Sequence, residues 1–161
     1  MELIRDADEL DAVLVPVGGG GLVSGIGAYL KAVSPATTVI GCQPAHSPIM
    51  YRSVRAGRVV EQESLPTLSD GTAGGIEPDA ITLDLCRRVV DEFVLLSEEE
   101  IAAAMVFVRR HHRMDIEGAA ALSVAAARKL SERFHGKRIA LIVSGGRVSR
   151  SLLDRLEAEH D

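Results

Sequence analysis

Short apolar runs alternate along the chain with longer stretches whose apolar residues recur at helical spacing. Residues 12–17 (AVLVPV) form one such run, read as a buried strand, and it ends in Gly18, Gly19, Gly20 and Gly21. Residues 22–33 then read as a helix, with Pro35 just beyond its end, and residues 38–42 form a second, β-branched run. Strand, glycine loop, helix and strand make a βαβ unit, for which a right-handed crossover is expected.

The stretch from 43 to 80 is less regular. It predicts a helix near residues 47–55 and then a long loop containing SLPTLSDGTAGGIEPD, of a kind that is usually functional or mobile. Pro78 suits the first turn of a helix over 79–89, and EFVLL at 92–96 reads as a strand. Ser97 and Glu100 are spaced as a capping box for a helix over 98–111. An Ala-rich helix over 117–134, a strand at 138–143 ending in Ser144-Gly145-Gly146, and an amphipathic helix at 149–160 complete the order.

Alternating strands and helices predict an α/β fold, a mostly parallel sheet with flanking helices. Ligands of such sheets bind beyond the carboxyl ends of the strands, where residues 18–21 and 144–146 both lie. Consecutive glycines there leave several amides unshielded at a helix N-terminus, an arrangement suited to a phosphate group. A bare turn would need one glycine, not four. The dinucleotide pattern GxGxxG fails, because its third glycine falls on Val23 or Ser24, and Gln43 stands where an acid is expected. No Gly-Lys-Ser/Thr follows, so a nucleotide-triphosphate loop fails too, leaving a small phosphorylated cofactor.

The length of 161 residues fits one domain or part of a larger one. Aromatic residues are only 3%, so Ala, Val, Leu and Ile supply the core, as suits helices on a parallel sheet. A net charge of −5 without a basic stretch argues against nucleic acid. The apolar runs are of strand length and the first residues are acidic, so neither a membrane span nor a leader is expected, and a cytoplasmic setting is. Cys42 and Cys86 form no CxxC and read as buried small hydrophobes. His111 and His112 are adjacent and face different ways on a helix; the acids at 98–100 suit a helix dipole; Asp70 reads as a turn residue.

VPVGGGGLVSG (15–25) resembles the tetraglycine phosphate loop of fold-type II pyridoxal-phosphate enzymes, the group of threonine dehydratase, serine dehydratase and serine racemase. VVDEFVLLSEEEIAAAM, IEGAAALSVAA and LIVSGGRVS resemble further segments of that family in matching order, over essentially the whole chain. The resemblance implies the large, tryptophan synthase β-like domain of such an enzyme. It implies that Gly18, Gly19, Gly20, Gly21 and the amide of Leu22 hold the phosphate of pyridoxal 5′-phosphate, that Ser144 bonds the pyridine nitrogen, and that Glu117 lies near cofactor or substrate. The implied reaction is β-elimination from a hydroxy amino acid (serine, threonine or a hydroxylated aspartate), giving a keto acid and ammonia, in an enzyme expected to be a homodimer.

The sequence departs from the family at three points. The family's Schiff-base lysine lies in a segment preceding the first residue here, and Lys31, Lys129 and Lys137 read as solvated surface residues, so no catalytic residue is assigned. On that expectation residues 1–161 are a single partial domain, incomplete at the N-terminus and inactive alone, with an apolar face for its other half to cover. Gln43 replaces a glutamate metal ligand of racemase-like members, so no metal site is expected, and Arg147 replaces the usual Asn and faces either the pocket or solvent. A non-catalytic phosphate-binding module and a non-functional truncated product are the alternative readings.

Overall fold

A computed structural model describes residues 2–7 and 9–160. The elements run α1 (Glu2–Asp6), β1 (Ala12–Pro16), α2 (Gly21–Val33), β2 (Thr38–Pro44), α3 (Ile49–Ala56), α4 (Ile81–Val89), β3 (Glu92–Leu96), α5 (Glu98–His112), α6 (Gly118–Lys129), β4 (Ile139–Leu141) and α7 (Arg150–Glu159). The four strands form one sheet in the order β3-β2-β1-β4, every neighbouring pair parallel. Val15 lies beside Gly41 and Gly41 beside Phe93, so β1, β2 and β3 run in register across the sheet.

Period-two alternation divides each strand between two apolar layers. Leu14, Ile40, Cys42, Val94 and Leu96 face the layer built with α5, α6 and α7. Val13, Val15, Val17 and Val39 face the other, where Val23, Leu30, Met50, Leu83 and Cys86 of α2, α3 and α4 pack. Small residues set the helix spacing: a Cβ on Gly27 would lie 2.6 Å from Val89 Cγ2, so α2 and α4 touch backbone to side chain there. The expected capping box is present, with Glu100 N donating to Ser97 Oγ and Ser97 N to the Glu100 carboxylate.

Several predicted boundaries shift. The helix expected at 79–89 begins at Ile81; residues before it turn, with Ala80 N donating to Glu77 O at 3.0 Å, so Pro78 precedes the helix. The helix expected to reach 134 stops at Lys129, because the following SERF turn rolls back to bury Phe134 under the α5–α6 layer. Strand 138–143 narrows to Ile139–Leu141, although Ile142 N still donates to Leu14 O. Helix α1 is absent from the elements expected from the sequence.

Candidate functional site

The carboxyl ends of β1 and β4 open into a cleft of about 310 Å³ lined by Pro16, Gly18, Gly19, Gly20, Gly21, Leu22, Gly71, Thr72, Glu117, Ala119 and Ser144. All seven residues assigned from sequence therefore meet at one place.

The four glycines differ in what they do. Val17 N donates to Cys42 O and Ser24 N to Gly20 O; between them the amides of 18–23 find no main-chain acceptor among the described residues. A Cβ on Gly19 or Gly21 would meet nothing within 4 Å, so these two glycines leave the mouth of the cradle open. Gly20 faces inward at φ +86, where a Cβ would lie 2.7 Å from Met50 Cε and 2.9 Å from Cys86 Sγ. Gly18 lies against the Thr72 backbone, 3.2 Å from where its Cβ would be. Free amides at the start of the 13-residue α2 add to the helix's partial positive charge, so an anion is favoured here without a basic side chain.

The opposite side of the cleft comes from the turns at Glu117 and Ser144. Glu117 N donates to Gly145 O at 3.2 Å and Arg147 N to Glu117 Oε2 at 3.1 Å, which ties the start of α6 to the loop after β4. Gly145 leaves room for that carboxylate, since a Cβ would collide with it. Ser144, an exposed residue, lines the cleft with Glu117, and Arg147 is exposed and is not among the lining residues. A phosphate at the amides and a polar ring atom at Ser144 both match donors present, so the residues fit pyridoxal phosphate.

Gly71 and Thr72 were not assigned from sequence, although the long glycine-rich loop that carries them stood out. Ser69 and Thr72 are buried and share a 2.6 Å hydroxyl contact across a short 3-10 turn, Asp70–Thr72. Asp70 is the expected turn residue, accepting from Gly71 N at 2.8 Å.

The lysines are elsewhere, at the surface as expected, and two of them are paired there. Lys31 Nζ bonds Asp91 at 2.6 Å and Thr37 O, at the amino end of the sheet. Lys129 Nζ bonds Glu100 and Leu95 O at 3.0 Å each. Both ammonium groups compensate acceptors at strand and helix ends, which holds them. Lys137 lies in the turn before β4, its amide on Phe134 O. Gln43, buried, donates to Val17 O and accepts from Tyr51 N, so it pins the exit of β1 to the start of α3. Both cysteines are buried and free, and burial pushes both thiols up. His111 spends Nδ1 on Phe107 O and stacks on that ring.

The family model described as "Pyridoxal-phosphate dependent enzyme" matches residues 1–145. An L-threonine ammonia-lyase of Thermotoga maritima is 40% identical over 157 residues, 97% of this chain and 38% of its own length. A β-hydroxyaspartate dehydratase of Paracoccus denitrificans is 36% identical over 155 residues, 96% of this chain and 48% of its own. The structure of threonine deaminase isoform 2 from Solanum lycopersicum superposes with a TM-score of 0.90 at 30% identity, over 98% of this chain and 46% of that one. The chain thus spans less than half the length of these relatives.

Proposed function

The chain belongs to the family of pyridoxal-phosphate-dependent enzymes, and from that membership we propose that it forms the cofactor-phosphate-binding part of a lyase acting on a hydroxy amino acid. Serine, threonine and β-hydroxyaspartate are the candidate substrates, and a keto acid and ammonia the products. When bound, pyridoxal phosphate supplies a conjugated ring that draws electron density from the substrate's α-carbon. The amides of Gly18 to Leu22 hold its phosphate, and the Ser144 hydroxyl bonds its ring nitrogen. A neutral hydroxyl at Ser144 would not force that nitrogen to carry a proton, as a carboxylate would, and so would suit the β-elimination proposed here. Glu117 closes the cleft beside Ser144 and holds the loop that carries it.

No lysine lines the cleft, so the covalent anchor comes from residues outside it. That observation also favours a second reading, a module that binds a phosphorylated ligand without chemistry. Two buried, unbridged thiols suit a reducing, cytoplasmic setting.

The observation that carries the proposal is the open amide cradle facing Ser144 and Glu117 in one cleft. Pyridoxal phosphate titrated into the chain should bind reversibly and be displaced by inorganic phosphate. Gly19→Ala places a methyl in the open mouth and should weaken binding about tenfold or more, as expected for lost charge-assisted bonds, with thermal unfolding unchanged. Equal affinity of wild type and Gly19→Ala would refute the cradle. Adding a lysine-bearing family segment and assaying keto acid release separates the lyase from the binding module.

A further inference from the structure

Glu98 opens α5, and the helix dipole alone would account for an acid there. Its contacts are more specific than that. The carboxylate side chain is only 20% exposed. Oε1 accepts from Thr67 Oγ1 and Oε2 from Leu68 N, each at 2.7 Å, from residues some thirty positions earlier in the long loop. Thr67 Oγ1 in turn accepts from Ser69 N at 3.1 Å. His46 Nδ1 holds Pro66 O at 2.6 Å and lies 3.6 Å from the same carboxylate. Beyond this knot the chain turns through Ser69 and Thr72, whose hydroxyls meet at 2.6 Å, and delivers Gly71 and Thr72 to the cleft. Thr72 then abuts Gly18. Glu98 itself does not line the cleft.

We propose that Glu98 is a positioning residue for the phosphate cleft: by holding Thr67 and Leu68 it sets the wall formed by Gly71 and Thr72 against the glycine loop. The proposal rests on the reading of that cleft as the pyridoxal phosphate site. A loop with few apolar anchors owes its order to such bonds, and bonds to a charged acceptor are the strong ones. Glu98→Gln keeps the length of the side chain but removes its charge and one of its two acceptor oxygens. Glu99, exposed in the same helical turn, feels the same dipole and has no hydrogen bond to residues 67–73 among the described residues, so it serves as the control.

The test is made on the full chain, with pyridoxal phosphate affinity, amide hydrogen exchange and thermal unfolding measured together. Glu98→Gln should speed exchange across residues 67–73 and weaken pyridoxal phosphate binding at least about fivefold, the size expected if part of a charged hydrogen bond is transmitted. Thr67→Val should move both readouts the same way, and carries the test if Glu98→Gln does not fold. Glu99→Gln should leave both unchanged. If Glu98→Gln and Thr67→Val bind as tightly as wild type while Gly19→Ala does not, the positioning role is overturned and the site stands. If Gly19→Ala also binds as tightly, the site reading itself has failed.

Discussion

Gly19 and Gly20 are neighbours in the chain and answer to different demands. Gly20 needs a left-handed backbone and has side-chain atoms of Met50 and Cys86 where its Cβ would go. Gly19 has neither constraint. Gly20→Ala should therefore lower stability by about 2 to 4 kcal/mol, combining the αL penalty with overpacking, whereas Gly19→Ala should leave it unchanged. Urea denaturation of both variants checks this, and equal stabilities would show that Gly20 is not strained. From sequence the four glycines look alike, and only their place together at the end of a strand was legible. Gln43 is similar: its failure to match an acid could be seen, but not that it donates to Val17 O and accepts from Tyr51 N.

Helix α6 starts where it does because of what surrounds its first turn. Gly118 lies under the Leu68 carbonyl, and a Cβ there would collide with it. In an ordinary helix Gly→Ala is stabilising by roughly 0.5 to 1 kcal/mol. Gly118→Ala should do the reverse, costing about 1 to 3 kcal/mol through overpacking and loosening the loop that ends at Thr72. Thermal unfolding together with pyridoxal phosphate titration measures both effects; a more stable variant would show that the loop yields freely. Capping chemistry was readable in advance at Ser97 and Glu100 because it lies within four residues of chain. The end of α6 was not, since Lys129 and the SERF turn are placed by Glu100 and by the core around Phe134. Pro78 misled for a related reason: it suits a first helical turn but here serves the turn before it.

The sheet separates two apolar layers, and β1 feeds both, Leu14 to one and Val13 to the other. Both side chains are 0% exposed. Because every strand contributes to each layer, the layers should unfold together. Leu14→Ala should cost about 3 kcal/mol and Val13→Ala somewhat less, each moving one cooperative transition rather than splitting it. Coincident unfolding curves from probes placed in α6 and in α2 would establish this, and two separate midpoints would contradict it. Among the described residues no helix is long and apolar enough to cross a membrane.

The order of strands and helices from β1 onward, the mostly parallel α/β class and the glycine loop at a strand end were determined by the amino-acid sequence alone. They follow from apolar period and glycine content, which are properties of neighbouring residues. Tertiary structure decided which glycines open the cleft and which serve the fold, that Glu98 holds Thr67 and Leu68, that Glu117 meets the loop after Ser144, and that Lys31 and Lys129 are paired. Each of these joins residues far apart in the chain, and their meeting depends on how the layers pack around the sheet.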